Sequence, residues 1–177
     1  MSEFKHLYDD FKPENYKIFL LEVGNGNNES GPGEGLYSLS RSSMSSDRHD
    51  FNNQINKSFF FKKDWLCDKE YAKNLTKEYL QSRYGKNYKN LIYDVPEEKN
   101  GHEGCIVLSH HGSGLFSQLV INGSQKGKVW DNNIASGSGM WNTNKSFLSW
   151  YEEWLDQEAD LTNKKLEEID ALQKELL

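Results

Sequence analysis

The 177-residue sequence predicts an α+β fold, a single domain in which a twisted, antiparallel-rich sheet of about five or six strands packs against N-terminal and C-terminal helices. The first observation behind this prediction is a set of three short apolar runs between residues 104 and 131, separated by glycine-bearing turns as in an antiparallel meander. The second is the change to helical spacing of the apolar residues from Phe147 onwards. We divide the chain into a domain at residues 1–158 and a C-terminal helical extension at residues 159–177.

The N-terminal part of the chain predicts two short helices, a glycine-rich loop and a first strand. Pro13 suits the first position of the second helix, because that position needs no backbone N–H, and Gly24 suits its end. Residues 24–35 form the loop, and the strand follows at 35–39. The apolar stripes of the two helices are Phe4, Leu7, Tyr8 and Phe11, and then Tyr16, Phe19, Leu20 and Val23.

The middle of the chain predicts fewer regular elements. Residues 40–57 are polar and are expected to be irregular, whereas 59–61 and 65–66 are apolar and are expected to be packed. A helix is predicted from Asp68 to Tyr84, and a further strand at 91–93. The residues of this helix expected to point inward are Tyr71, Leu75, Tyr79 and Leu80.

The C-terminal third predicts the meander and a long helix. The strands fall at 105–108, 115–121 and 129–130, and residues 132–145 are expected to form a flexible loop. Residues 146–177 should form one long helix or two abutting ones, with Trp150 and Trp154 covering the sheet. Beyond residue 158 the apolar stripe either packs on the domain itself or meets a second copy or a partner; we favour packing or self-association, because an exposed stripe promotes aggregation. This distal stripe consists of Leu166, Ile169, Leu172 and Leu176.

The order of these elements resembles the SUKH superfamily. The resemblance lies in PENYKIFLLEVGNG with the glycine-led strand after it, and in the meander GCIVLSHHGSGLFSQLVINGSQKGKVWD followed by SFLSWYEEWL. It covers roughly residues 13–39 and 104–156. Many bacterial members act as immunity proteins against polymorphic toxins, and fungal members act as cell-wall regulators. The resemblance implies a protein that binds a cognate protein toxin, often a basic nuclease, and needs no cofactor.

Charge and composition narrow the classes of partner and compartment. The net charge is −6, and residues 152–177 alone contain nine acidic and three basic side chains. An acidic chain with three arginines disfavours nucleic-acid binding and suits a basic protein partner, although a solvated helix face has the same composition. No apolar run approaches the ~18 residues that span a bilayer, and the N-terminus lacks a secretory signal. We therefore expect a cytoplasmic protein with no membrane partner, in which Cys67 and Cys105 are free thiols.

The sequence offers one pair of residues that suggests acid–base chemistry. Counting outward from the predicted turns places His110 and Asp131 on one face at the same end of the sheet, where a His–Asp contact is either a catalytic pair or a structural hydrogen bond. No nucleophile elbow and no His-Glu-x-x-His zinc motif accompanies them. We therefore predict no catalytic site, no metal and no cofactor. The same-face groups from this count are Ile106, Val120 and Val129, then Leu108, Gln118 and Asp131, then His110, Phe116 and Asn133.

Aromatic and acidic residues give the candidates for partner binding. Trp130 should be half-buried in its strand, whereas Trp141 lies in a polar segment and either anchors a partner or folds back onto the sheet. The preferred function is a cytosolic immunity protein. The alternatives are a regulatory scaffold or, less favoured, an acid–base or metal hydrolase at the sheet rim. The candidate contact residues are His110, Asp131, Trp141, Glu167, Glu168 and Asp170, and the C-terminal helix is a candidate for homo-oligomer formation.

Overall fold

A four-stranded antiparallel meander and a C-terminal helix dominate the computed structural model, which describes residues 14–22, 35–38, 55–66, 77–96 and 101–175. The sheet order is β1-β2-β3-β4, and each neighbouring pair is antiparallel. The α+β class predicted from the sequence is therefore confirmed, with four strands in the described part of the chain. The elements are α1 (Glu14–Glu22), α2 (Lys77–Tyr84), β1 (Cys105–His110), β2 (Phe116–Val120), β3 (Lys128–Asn133), β4 (Gly139–Ser146) and α3 (Phe147–Glu175), with 3₁₀ turns at Tyr88–Leu91 and Ile134–Ser136.

Glycines shape the turns of the meander. Gly112 and Gly114 connect β1 to β2 with φ angles of 82° and 73°, which side chains with a Cβ rarely adopt. The backbone N–H of His111 donates to the Leu115 carbonyl at 2.8 Å across this turn. Gly127 closes the next turn by donating to the Val120 carbonyl at 2.9 Å. The three meander strands predicted from the apolar runs are thus confirmed, each with bounds slightly different from the prediction.

One face of the sheet packs against α1 and the start of α3. Phe147 is fully buried there, with its ring 4.6 Å from Tyr16 and 4.8 Å from Phe19 in edge-to-face contacts. This confirms the predicted helix after Pro13 and its inward stripe at Tyr16 and Phe19. The buried members of this cluster are Tyr16, Phe19, Leu36, Ile55, Ile106, Leu108, Leu119, Ile121, Val129, Phe147 and Trp150.

The second face of the sheet is covered by the segment at residues 59–66. Phe59 meets Trp130 at 5.1 Å between ring centroids, and Phe61 meets Trp65 at 5.3 Å. Trp130 is consequently fully buried, so the expectation that it is half-buried was wrong. The predicted packing of the two apolar segments at 59–61 and 65–66 is confirmed, and it makes this a sheet with both faces covered.

Three local predictions were wrong. Residues 132–145 contain most of β4 rather than a flexible loop, because their backbone pairs with β3 and with Trp65 although the side chains are mostly polar. Leu91 ends a 3₁₀ turn, and residues 92–93 are not a strand. In α2, Leu80 is buried as predicted, but Tyr79 is 42% exposed.

The helix α3 is continuous through residue 158, the predicted domain boundary. Trp150 is buried as predicted, whereas Trp154 is only half-buried, and every described side chain from Leu155 to Ala171 and on to Gln173 is exposed. The expectation that the distal stripe packs on the domain's own surface is therefore wrong for these residues. The helix outruns the sheet because two turns suffice to cross the sheet edge that it contacts.

Some predictions lie outside the described residues: the helix at 4–11, the start of the helix at 68–84 and the thiol of Cys67. Among the helices that the structure describes, none combines the length and apolar character needed to cross a membrane.

Candidate functional site

Strand register separates the two residues that the sequence analysis paired. His110 lies opposite Phe116, which lies opposite Asn132, whereas Asp131 lies opposite Ser117. Residues opposite one another in an antiparallel pair share a face and adjacent residues alternate, so His110 and Asp131 lie on opposite faces. The expected pairing was wrong because the β2–β3 register differs by one residue from the count, and because an irregularity between Val107 and Ser109 shifts β1.

The neighbouring histidine takes the place expected of His110. Nε2 of His111 lies 2.8 Å from the Ser117 hydroxyl oxygen, and that hydroxyl donates to Oδ1 of Asp131 at 2.7 Å. His110 instead stacks on Phe116 at 4.9 Å, and its Nε2 accepts a bond from the Gly114 N–H at 3.3 Å. The sequence analysis missed His111 and Ser117, because the one-residue shift that brings them together has no signal in the apolar pattern.

The order of groups in this network does not match a nucleophilic triad. A serine nucleophile donates its hydroxyl proton to a histidine base, and a carboxylate orients that histidine. Here the Ser117 hydroxyl donates to Asp131, so His111 must donate to the Ser117 oxygen. Ser117 is also 1% exposed, which keeps a substrate away from its oxygen. The arrangement positions and partly neutralises the Asp131 carboxylate.

The electrostatic environment of Asp131 comes from four sources. Burial raises the pKa of its carboxyl above the ordinary value of 3.8, while the Ser117 hydrogen bond and the positive charges of His111 and Lys145 lower it. The Lys145 ammonium also pairs with Glu153, which joins the end of β4 to α3. Asp131 is thus a partly desolvated carboxylate whose hydrogen bonding involves one oxygen.

An open cleft of about 520 Å³ lies in front of Asp131. Two carboxylates, two aromatic rings and several hydrogen-bonding side chains form its wall, whose members are Asp64, Tyr84, Leu91, Asp131, Asn133, Ser138 and Trp141. We call this space the Asp131 cleft. Its residues come from β3, β4, the end of α2, a 3₁₀ turn and the segment at 55–66, so the fold brings together parts of the chain that are far apart in sequence.

Trp141 lies in β4 opposite Asp131 and forms one side of the cleft. Its ring is parallel to that of Tyr84, with 4° between the planes and 5.0 Å between the centroids. The indole packs partly against the buried cluster of Leu66, Leu80 and Tyr88, and it stays half-buried. Of the two alternatives for Trp141, the side chain belongs to the sheet, and its packing still leaves it accessible from the cleft.

The other candidate surface is the exposed part of α3. Glu167 and Glu168 are exposed on it, while the side chain of Asp170 lies outside the described ones. Large apolar side chains accompany the acids, with exposed fractions between 46% and 60% at Leu155, Leu161, Leu166, Ile169 and Leu172. We call residues 155–173 the α3 arm. It shares no residue with the Asp131 cleft, so the six candidate contact residues fall in separate places.

Metal-binding groups were sought throughout the described ranges. No three His, Cys, Asp or Glu side chains there come close enough together to hold an ion. No model of a protein family, no curated protein and no solved structure matches the chain.

Proposed function

We propose that the protein is an immunity protein of the SUKH type, which binds a basic protein toxin in the cytoplasm and neutralises it without catalysis or a cofactor. The observation that carries the proposal is the α3 arm. A helix that leaves its domain and exposes five leucine or isoleucine side chains between acidic ones is typical of a protein-binding surface.

Charge selects the kind of partner for the α3 arm. The nine acidic and three basic side chains of residues 152–177 give this segment the whole net charge of the protein, −6. A second copy of the chain would bring two such segments together, and their mutual repulsion disfavours that pairing. A basic surface with apolar groups at its centre complements both features, so the partner is a basic protein rather than another copy.

The sheet edges support the resemblance on which the immunity function rests. Trp65 exchanges two backbone hydrogen bonds of 2.8 Å with Met140 of β4, and the Tyr37 N–H donates to the Leu108 carbonyl of β1 at 2.7 Å. Each contact continues the sheet beyond one of its outer strands. We take these as the places of the fifth and sixth strands that the resemblance implies.

Charge reversal on the α3 arm tests the proposal. Immunity genes commonly sit beside the genes of their toxins, so the protein encoded immediately upstream is the partner to examine. The double variant Glu167→Lys/Glu168→Lys should associate with it about tenfold more slowly at low salt, and with a weaker dependence on salt, because steering by opposite charge is lost. It should also protect cells that express this protein less well than the unaltered chain does.

The matched control reverses two exposed acids elsewhere, Glu14 and Glu78, and so changes the net charge equally. Equal effects of the two double variants would contradict a role for the α3 arm. Binding without protection would favour the regulatory scaffold. A molar mass of twice the monomer by light scattering, lost on removal of residues 160–177, would instead assign the arm to self-association.

A further inference from the structure

The Asp131 cleft has the size and lining of a receptor for one side chain. Its volume of about 520 Å³ lies within the range of ~300–1,000 Å³ that is usual for small-ligand sites. Two of its lining residues, Asp64 and Asp131, carry negative charge, and none of its lining residues is a lysine, arginine or histidine. The nearby positive groups, His111 and Lys145, act on Asp131 without lining the cleft. A cationic group therefore suits this space.

Asp131 has one oxygen in use and the other available. Oδ1 accepts the Ser117 hydroxyl proton, and this is the single hydrogen bond found for the Asp131 side chain within the described residues. Across the cleft, Oδ1 of Asp64 accepts the backbone N–H of Asn142 at 2.7 Å, which fixes the orientation of that carboxylate. Both carboxylates are thus held in place while keeping acceptor capacity for a ligand.

The aromatic wall favours a planar cation. Trp141 and Tyr84 form a parallel pair with 4° between their planes, and both rings line the cleft. Cations bind to such π systems, with tryptophan the strongest partner. A guanidinium group is flat, is more weakly hydrated than an ammonium group and donates five N–H bonds, so it can contact a ring and a carboxylate together.

We propose that the Asp131 cleft binds the guanidinium group of an arginine side chain supplied by the protein partner. The source of that arginine rests on the function proposed above, whereas the affinity of the cleft for the group does not. The guanidinium donates to the carboxylates of Asp131 and Asp64 and lies against Trp141. The cleft thereby adds a specific contact to the less specific attraction exerted by the α3 arm.

The probe is N-acetyl-L-arginine amide, added to the full-length protein and followed through the indole N–H resonance of Trp141, which the Trp141→Phe variant identifies. We expect a saturable shift with a Kd of about 1 mM, a typical strength for one side chain. N-acetyl-L-citrulline amide has nearly the same shape without the charge and should cause no saturable shift. The Asp131→Asn variant, in which the amide oxygen still accepts from Ser117, should bind the arginine probe about tenfold more weakly.

Asp156→Asn is the matched control, because Asp156 is exposed on α3 outside the cleft and its replacement makes the same change in charge. It should leave the Kd unchanged. The proposal is overturned if the arginine probe causes no saturable shift, if the citrulline probe binds equally well, or if both asparagine variants weaken binding alike. Because the probe needs no partner, loss of this inference leaves the α3 arm measurements intact, and failure of those measurements leaves the probe result valid.

Discussion

The Phe147→Ala substitution removes the side chain that joins α1, α3 and the sheet. Phe147 is fully buried, and four rings surround it with centroid distances from 4.6 Å for Tyr16 to 6.3 Å for Trp150. Truncation of a buried phenylalanine costs about 3–5 kcal/mol through lost transfer free energy and the cavity left behind. The loss of several edge-to-face contacts places this variant near the upper end, at about 4–5 kcal/mol.

Trp154→Ala provides the comparison within the same helix. Trp154 is half-buried and has one ring neighbour within the described part of the chain, Tyr151 at 5.4 Å. Water fills the space that its truncation opens, so the cavity cost is small and the expected loss is about 1–2 kcal/mol. The larger indole should therefore matter less than the smaller benzyl group, because its position gives it less contact.

Urea unfolding followed by tryptophan fluorescence measures both losses. With a slope of about 2 kcal/mol/M, the midpoint should fall by about 2 M for Phe147→Ala and by less than about 1 M for Trp154→Ala. If Phe147→Ala does not fold, Phe147→Leu gives a smaller loss of the same origin. Equal midpoints for the two alanine variants would refute the reasoning, since they would mean that Trp154 is as deeply packed as Phe147.

Three further substitutions test other parts of the structure. Gly104→Ala should lower the urea midpoint far more than Gly112→Ala: both glycines have positive φ, but a Cβ at Gly104 would lie 2.7 Å from backbone atoms of Lys57 and Phe59, whereas one at Gly112 meets open space, and similar midpoints would contradict this difference. In a Cys67→Ser background, Cys105 should resist iodoacetamide at pH 8 until urea is added, because burial leaves its thiol 3% exposed and raises its pKa; rapid labelling of the folded protein would show that the thiol is accessible. Because the pKa of Asp131 is raised on folding, the folded protein holds that proton more tightly than the unfolded chain, so stability falls as the pH rises from 3.8 through the raised pKa; Asp131→Asn should remove this fall, and a pH-independent difference in unfolding free energy between the two proteins would count against it.

Sequence periodicity predicted the elements that repeat an apolar pattern. The glycine-separated runs predicted β1 to β3, and the spacing from Phe147 predicted α3, because burial on one face requires such repeats. The strand β4 escaped prediction since Asn142, Thr143 and Asn144 lack an apolar alternation. Its backbone is held by β3 and by Asp64, a residue 78 positions away from the Asn142 that it binds.

The candidate site depended on register, which periodicity does not determine. A shift of one residue moves a side chain to the opposite face, and the irregularity after Val107 makes such a shift in β1. It moved His111 rather than His110 to the face of Asp131. The Asp131 cleft was equally inaccessible from the sequence, because Asp64, Tyr84 and Trp141 converge only through the packing of distant segments.

The continuity of α3 has a consequence for how its exposed half forms. Starting a helix is costly because several residues must be ordered before the first hydrogen bond forms, whereas each added residue then costs little. The turns at Phe147 and Trp150, which the domain core holds, act as the nucleus, and residues 155–173 need only propagate from it. The exposed surface is therefore ordered before any partner arrives, and binding avoids the conformational entropy that a disordered segment loses when it folds on its target.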